Sequence, residues 1–452
     1  MENKTKKKIH TLDLTVGNIP KGMVRFALPV FFGTLFQLFY SLADTRIVGS
    51  FLGEGALASV GAVSVLANLM IGFMNGMALG FAIPVARYFG SGNRQGIKKN
   101  VGNIITLGAG MTLAFTFFSL IFMDSLMEWM NVVPRLYKDA KIYISILICG
   151  MAATFAYNAG AGILRAVGDT LAPLLFLVCS SVLNIVMDLC FIRVFHMGVE
   201  GAAYATVIAQ VVSAGLCWVY MMQKYEMFHI YPGDLMPERG YMGELASAGF
   251  SMACMNSLVQ FGTVSLQTSI NTLGQDIIVA HTAARKVTEI FMILFSVIGS
   301  TMATFAGQNY GAGTYDRIKK GLVFAIKVNL VWCALVFVFS HLCSPWLISL
   351  ITGTKGAKIL QTGALYLKVD TCFYLIPAFI TMLRNMLQGI GDHITPVVSS
   401  TLELLGKVVF AKMLTPLFGY WGIIWAEPAV WAVMVIPLAV QTLRLPLFQK
   451  QS

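Results

Sequence analysis

The sequence predicts an all-α integral membrane protein with twelve transmembrane helices in two six-helix bundles, related by a pseudo-two-fold axis along the membrane normal. Three observations lead to this fold class. The composition is too apolar for a soluble protein, the chain divides into twelve apolar stretches of spanning length, and its two halves repeat each other.

The composition is that of a membrane protein. Of the 452 residues, 57% are hydrophobic and only 12% are charged, which is more apolar surface than one soluble core can bury. The formal net charge of +11 does not indicate nucleic-acid binding, because the Lys and Arg residues interrupt apolar runs instead of clustering on polar helices. We therefore expect the lipid bilayer as the environment and no nucleic-acid partner.

Twelve stretches have the roughly 20 apolar residues that a helix needs to cross a bilayer. The N-terminus lacks the short apolar segment and cleavage site of a secretory signal, so the first stretch is expected to remain as a span. Charged or Gly- and Pro-rich breaks separate the stretches, which lie near 24–48, 57–85, 99–123, 138–164, 171–195, 199–223, 243–271, 277–306, 319–343, 359–388, 394–415 and 419–443.

Basic residues predict the orientation of the chain. Most Lys and Arg residues outside the spans fall on the side that carries the N-terminus, and cytoplasmic loops are enriched in such residues. We therefore expect a monomer in the plasma (inner) membrane with both termini in the cytoplasm. Its expected parts are an N-terminal tail, a first bundle, a linker, a second bundle and a C-terminal tail, at 1–20, 21–223, 224–241, 242–444 and 445–452.

The two halves are an internal duplication. RYFGSGN at 87–93 is echoed by QNYGAGT at 308–314, and LRAVGDTLAP at 164–173 by LQGIGDHITP at 387–396, at offsets of 221 and 223. Each repeat holds an even number of spans, so both enter the membrane from the same side. A cleft between two parallel repeats is where transporters of this design bind substrate.

Two acidic residues lie inside spans of the first half. Asp44 follows Gln37 by seven residues on one face of the first span, and Pro29 on the same helix can let it bend. Asn184 and Asp188 are spaced i, i+4 on the fifth span. Carboxylates with neighbouring amide and hydroxyl oxygens suit a partly dehydrated Na⁺ or a titratable proton.

A simpler interpretation places both acids in ion pairs at the membrane edges. Asp44 would then pair with Arg46, and Asp188 with Arg193. An ionisable group in a span usually has a polar cavity, a partner or a function, and either interpretation meets this requirement.

Charged residues of the second half are expected to be structural. Glu403 and Lys407 are spaced i, i+4 in the eleventh span and are expected to neutralise each other. Alternatively, Glu403 lines the cleft and meets cationic substrates. The other charges in or near later spans are expected to extend toward the membrane surface: Arg285, Lys286, Glu289, Asp370 and Glu427.

The motifs of enzymes are missing or explained otherwise. The histidines are scattered and no Cys-x-x-Cys occurs, so neither a metal site nor His-based catalysis is predicted. GIGD at 389–392 matches the Gly-x-Gly-Asp of intramembrane aspartyl proteases, but its repeat twin AVGD at 166–169 indicates a duplicated turn. No phosphate-binding loop for ATP is present. We expect no enzyme and no cofactor besides a coupling ion.

At several of these residues the chain resembles the multidrug and toxic compound extrusion (MATE) transporters, from about Ile19 to Arg444. The resemblance rests on ADT at 43–45 followed by VG at 48–49, the 164–173 segment, Asn184 with Asp188, and GVEGAA at 198–203 with Thr206. It implies that the coupling cation is bound in the first bundle by Asp44, Asn184, Asp188 and Thr206.

The resemblance also assigns neighbouring residues. It implies that Gln37 and Asn158 line the cavity of the first bundle, and that Pro29 is where the first helix bends. One branch of the family binds its cation through carboxylates in the seventh and tenth helices. Here the seventh carries Gln260 and the middle of the tenth carries Pro377, so no cation site is expected in the second bundle.

Export of amphipathic or cationic small organic compounds by antiport against Na⁺ or H⁺ is the function that the resemblance implies. A lipid or lipid-linked sugar flippase of the same broad superfamily is the alternative and would need a larger, more basic cavity. Few buried basic residues are expected here, which favours drug-like substrates. A major-facilitator symporter would carry an acidic-basic motif after the second span, where this chain has RYFGSG at 87–92.

Overall fold

The computed structural model describes residues 12–130, 132–353 and 356–449, and it contains helices and no strand in those residues. The described α-helices are α1 (Ile19–Gly90), α2 (Arg94–Ile121), α3 (Met123–Trp129), α4 (Pro134–Cys149), α5 (Met151–Ala166), α6 (Leu171–Leu189), α7 (Val199–Lys224), α8 (Arg239–Ile270), α9 (Gln275–Gly311), α10 (Tyr315–Thr352), α11 (Ala357–Cys372), α12 (Leu375–Ile390), α13 (Ile394–Phe418) and α14 (Tyr420–Arg444). Short 3₁₀ and π turns join some of them.

These helices account for the twelve predicted spans. Among the described residues, eight helices are long and apolar enough to cross a membrane, and the bent pairs α4 with α5 and α11 with α12 bring the number to ten. Helix α1 holds two spans, because its 72 residues break at Gly53, where φ is +83°. The twelfth is α8, which has 32 residues and is made more polar by Asn256 and Gln260. The predicted twelve-helix architecture is confirmed.

Two bent spans occupy equivalent places in the two halves. Helices α4 and α5 meet at Gly150 with a bend of 45°, and α11 and α12 meet at Phe373 and Tyr374 with a bend of 55°. Gly150 lies at the first break and Pro377 follows the second within the first turn of α12, but the sequence analysis did not divide the spans at 138–164 and 359–388. The half-helices α5 and α12 run on toward the centre of the protein.

Each bundle has its own apolar core. The first core is formed by α2, α4, α5, α7 and the second arm of α1 (residues 54–90), and the second by α9 to α12 with α14. The helix that begins each half also packs on the other half. Met23 and Phe26 of the first arm of α1 (residues 19–52) belong to the second core, and Leu245 and Ala253 of α8 belong to the first.

Glycines bring the bundles together on the side that carries both ends of the described chain, which we call the terminal side. A Cβ atom at Gly90 would lie 1.9 Å from the carbonyl oxygen of Gln308, and one at Gly311 would lie 1.9 Å from that of Arg87. Gly90 and Gly311 are equivalent residues of the two repeats. Only glycine allows α1 and α9 to approach this closely.

The segment before α1 strengthens this contact. Leu14 is 2% exposed, and its backbone N–H donates to Gln308 Oε1 at 3.0 Å. Gln308 Nε2 in turn donates to the carbonyl oxygen of Ala166 in the first bundle at 2.7 Å. Asn309 and Arg317 donate to the Leu14 carbonyl oxygen at 3.2 and 3.0 Å. This set of residues, which we call the terminal seal, closes the cleft between the bundles on the terminal side.

We predict that Gln308→Leu opens the terminal seal, because the leucine cannot bond to either Leu14 or Ala166 and leaves two buried polar groups without partners. Spin labels at Gln95 and Lys320, both exposed on the terminal side of different bundles, should report an added population of longer distances. Gln361→Leu, at an exposed position of α11, is the control and should leave the distribution unchanged. An unaltered distribution for Gln308→Leu would contradict this role of the seal.

Candidate cation site and central cavity

The four residues assigned to the cation site lie together in the first bundle. Asp44 comes from the first arm of α1, Asn184 and Asp188 from α6, and Thr206 from α7. Asn184 Nδ2 donates to Thr206 Oγ1 at 3.3 Å, and the carboxyl groups of Asp44 and Asp188 are close enough to interact electrostatically. The i, i+4 spacing on α6 directs Asn184 and Asp188 to the same place, as the sequence predicts.

Several oxygens of this site have no partner. Both carboxylate oxygens of Asp188 and the Oδ1 atoms of Asp44 and Asn184 are buried and accept no hydrogen bond from the described residues. Two ionised carboxylates this close repel each other unless a cation or a shared proton lies between them. Carboxylate, amide carbonyl and hydroxyl oxygens are also the ligands that hard cations prefer. The residues therefore fit either Na⁺ or a proton.

Two tyrosines that the sequence analysis did not single out adjoin this site. Tyr40 lies one turn before Asp44 and is close enough to interact electrostatically with Asp44 and Asp188. Tyr143 of α4 is close enough to interact electrostatically with both carboxyl groups. The i, i+4 spacing between Tyr40 and Asp44 could have indicated Tyr40 from the sequence. Tyr143 lies on a separate helix, so no spacing in the sequence indicates it.

The ion pairs proposed at the membrane edges do not form. Neither Asp44 nor Asp188 has a Lys or Arg partner in the described part of the chain. The Arg193 guanidinium instead lies over the ring of Phe51, 5.9 Å from its centre. The edge interpretation is therefore wrong, because both carboxylates turn into the bundle and away from Arg46 and Arg193.

The other residues assigned by resemblance are more dispersed. Gln37 is exposed on the first arm of α1, and Asn158 Nδ2 donates to the Thr154 carbonyl oxygen within α5. Pro29 is half-buried, and α1 continues through it with helical backbone angles. Their roles in transport stay predictions.

The predicted pair in the eleventh span is confirmed. Lys407 Nζ lies 2.9 Å from Glu403 Oε1, and both side chains are buried. Arg384 approaches the same carboxylate at 3.7 Å. Glu403 is not among the residues that line the central cavity, because Arg384 occupies that surface. The alternative role of Glu403 as a cleft residue for cationic substrates stays a prediction.

A central cavity of about 460 Å³ lies between the bundles. Its walls come from α1, α5, α8, α9 and α12, and among the described residues the lining includes Arg165 and Arg384 but no Asp or Glu. The expectation of few buried basic residues is therefore wrong for this cavity. Arg165 lies in a segment that reads as a loop after the fourth span, yet α5 extends to Ala166 and carries it into the cavity wall.

Three charged residues of the second bundle form a network in which both acids are buried and the arginine is partly exposed. Arg285 Nη1 lies 2.9 and 3.1 Å from the carboxylate oxygens of Glu427, and Tyr366 donates to the same carboxylate. Asp370 is 1% exposed and accepts from Thr288 at 3.4 Å. Extension to the membrane surface is thus wrong for Asp370, Glu427 and Arg285, because three helices bring them together in the interior.

Two further expectations for the second half have different outcomes. Lys286 and Glu289 form an exposed pair at 2.9 Å, as expected for side chains at the surface. The tenth span was expected to lack a buried acid, but Asp370 lies there just before the bend between α11 and α12. Asp370 and Pro377 lie at equal distances on either side of the middle of the 359–388 span, and both are buried.

The sequence profile of the MatE family matches this chain twice, over residues 29–190 and 251–413. The chain belongs to the MATE family. Its two matched segments begin 222 residues apart (251 minus 29), in agreement with the offsets of the internal duplication.

Several curated transporters are similar to the chain along most of its length. The probable multidrug resistance protein YpnP of Bacillus subtilis is 24% identical over 411 residues, which cover 90% of each chain. An FAD transporter of Shewanella oneidensis is 23% identical over 362 residues, or 79% of each chain. The family is one of membrane transporters, so this MATE protein is a multi-pass membrane transporter of small molecules.

Solved structures share the fold. An outward-facing multidrug resistance MATE transporter of the MOP superfamily superposes with a TM-score of 0.89 at 24% identity, covering 98% of this chain and 99% of the other. A MOP superfamily transporter from Pyrococcus furiosus, described as having a binding pocket of reverse polarity, gives 0.86 at 24% identity over 96% and 98%. At this identity the likeness concerns the fold alone.

Proposed function

We propose that this MATE transporter exports amphipathic small organic molecules across the plasma membrane by antiport against Na⁺ or H⁺. The observation that carries the proposal is the pair of Asp44 and Asp188, whose buried oxygens have no partner among the described residues. The multidrug resistance and FAD transport named for its relatives support the direction and the size class of the substrate.

The two sites lie in different places, so their coupling is conformational. The cation site is held by the first arm of α1, α6 and α7, whereas the central cavity lies between the bundles. Antiport requires only that cation and substrate favour different states of the transporter. A cation entering from outside neutralises Asp44 and Asp188, lets these three helices pack more closely, and favours release of substrate to the outside.

The first arm of α1 is the element that can transmit this change. Asp44 and Gln37 lie two turns apart on it, and Pro29, which lacks a backbone N–H, gives it a place to bend. Met23 and Phe26, near its start, pack into the second bundle. Movement at Asp44 thereby reaches the contact between the bundles. In this proposal both termini lie in the cytoplasm.

The experiment is efflux from vesicles containing the purified protein, with a Na⁺ gradient and a pH gradient imposed separately. Rhodamine 6G and fluorescein are the reporters, because they share one ring system and carry opposite charges. We expect one of the gradients to accelerate efflux of at least one dye, which identifies the coupling ion. Absence of acceleration by either gradient would contradict antiport.

A lipid or lipid-linked sugar flippase is the second candidate. The two arginines of the central cavity favour it, because such a substrate carries phosphate. The cavity volume of about 460 Å³ does not favour a flippase, because a cavity of this size suits a small organic ligand. Movement of labelled lipid across the same vesicles, in the absence of dye efflux, would favour this candidate.

A further inference from the structure

We infer that the central cavity binds an anionic group, so that the transported molecules are amphipaths that carry a carboxylate, phosphate or sulfonate. The inference deepens the proposed export function and rests on it. It assigns the substrate class from the charges of the cavity wall, of which Arg165 is the most informative.

Arg165 lies on the cavity wall without a counter-ion. It makes no ion pair or hydrogen bond to the described residues through its side chain, although its neighbours Leu164 and Ala166 are buried. The ionisable groups that interact with its charge are Tyr157 and Cys217, which are neutral at pH 7. A cationic side chain inside a membrane protein normally pairs with a carboxylate or serves a ligand.

Asp169, the nearest acid in the sequence, is already engaged elsewhere. Its carboxylate accepts from the hydroxyls of Tyr220 and Tyr225 at 2.9 and 2.6 Å, and from Lys224 Nζ at 3.1 Å. It also accepts from the backbone N–H of Ala172 at 3.2 Å. The i, i+4 pair that Arg165 and Asp169 could form on a continuous helix is prevented because α5 ends at Ala166.

The second bundle presents another cation to the same cavity. Arg384 is 8% exposed, and its one carboxylate neighbour is Glu403 at 3.7 Å, which lies closer to Lys407 at 2.9 Å. Its Nη2 atom donates to Ser399, whereas its buried Nε has no hydrogen-bond partner in the described chain. Arg384, Lys407 and Glu403 together carry a net charge of +1, so the excess of positive charge comes from both bundles.

The rest of the cavity suits the body of an amphipathic molecule. Its lining has no acid to attract an organic cation, and its neutral polar groups include Asn256, Gln260 and Asn385. Phe26, Phe295 and several methionines supply apolar contacts. An anionic head bound between Arg165 and Arg384 would neutralise the excess charge while its apolar body packs on these side chains.

Equilibrium binding to the purified full-length transporter tests the inference. Fluorescein and rhodamine 6G are titrated with the protein in detergent, and binding is followed by fluorescence polarisation with protein-free micelles as the correction for micelle uptake. We expect the wild-type protein to bind fluorescein at least about tenfold more tightly than rhodamine 6G, as expected for charge-assisted hydrogen bonds.

Variants of the two cavity arginines test which residues bind the anionic group. Arg165→Gln should weaken fluorescein binding by at least about tenfold and leave rhodamine 6G binding unchanged, whereas Arg165→Lys should retain most of the affinity. Arg384→Gln is a second test of the anion site. The carboxylate of Glu403 keeps its pair with Lys407, so this variant does not leave an unpaired acid. Arg94→Gln removes the same charge from an exposed position at the start of α2 and should change neither affinity. Each variant is compared at equal monodispersity in size-exclusion chromatography.

The outcomes separate this inference from the proposed function. Tighter binding of rhodamine 6G than fluorescein, or equal fluorescein affinity in both Arg variants and wild type, would overturn the anionic substrate class. Gradient-driven export of rhodamine 6G alone would then leave antiport standing. Arg165-dependent fluorescein binding without gradient-driven transport of either dye would support the anion site and reject antiport.

Discussion

Asp188→Asn is expected to reduce gradient-driven efflux to the level of protein-free vesicles without lowering the thermal stability of the protein. Asp188 is fully buried, and neither of its carboxylate oxygens has a hydrogen-bond partner among the described residues. Asparagine keeps the shape but carries no charge, so the site can neither hold Na⁺ tightly nor titrate. Removing a buried, unpaired charge also removes a desolvation cost.

The measurement combines dye efflux with the melting temperature in detergent. Asp124→Asn serves as the control, because Asp124 is an exposed acid bonded to Lys141 and Tyr137 at the protein surface. It should keep efflux near the wild-type rate. Full efflux by Asp188→Asn would remove the central role proposed for this carboxylate, and a large loss of stability would mean that Asp188 is a structural residue.

Glu427→Gln is expected to destabilise the second bundle by about 3 kcal/mol, because it removes the carboxylate that is bonded to the partly exposed Arg285 and leaves only Asp370 as a nearby acid in the described chain. Glu427 is 2% exposed, so water cannot replace the lost carboxylate. Equilibrium unfolding in mixed micelles measures the change. Glu289→Gln, which breaks an exposed pair with Lys286 on the same helix as Arg285, is the control and should cost less than about 1 kcal/mol.

A double replacement sharpens this second prediction. Arg285→Met combined with Glu427→Leu removes both members of the ion pair and should recover most of the stability that Glu427→Gln loses, because no arginine is left without Glu427; Asp370 keeps its hydrogen bond from Thr288. If the double variant is as unstable as Glu427→Gln, the network acts through the Tyr366 hydrogen bond and packing more than through charge.

The sequence predicts the spans better than their shapes. Apolar stretches of about 20 residues identify membrane helices because the bilayer forces every backbone polar group into a helix. The break at Gly150 lies at a helix-weakening residue, and the break at Phe373 and Tyr374 comes four residues before Pro377, which has no N–H to bond the Phe373 carbonyl oxygen; neither residue alone predicts the size of the bend. The residues 19–90 appear as two spans in the sequence and as one helix interrupted at Gly53 in the structure.

The arrangement of the candidate site could also be predicted only in part from the sequence. Asn184 and Asp188 are one helical turn apart, so their common face follows from the spacing. The assembly of Asp44 and Thr206 with them came only from family resemblance, because these residues lie on other helices. Arg285, Asp370 and Glu427 each stand in or near an apolar stretch, and the sequence predicted that they extend to the membrane surface because it does not show the partners on other helices that hold them together.

The equivalent bends at Gly150 and Phe373 bear on the ancestry of the chain. They lie 223 residues apart (373 minus 150), the spacing of the LRAVGDTLAP and LQGIGDHITP segments, so the ancestral single repeat already contained a broken helix. The arginines of the cavity, in contrast, do not occupy equivalent positions in the two repeats. At the same spacing Arg165 corresponds to Gln388, and Arg384 to Ala161. Fusion of two copies into one gene freed each half to acquire a different charge, which two identical subunits could never have done.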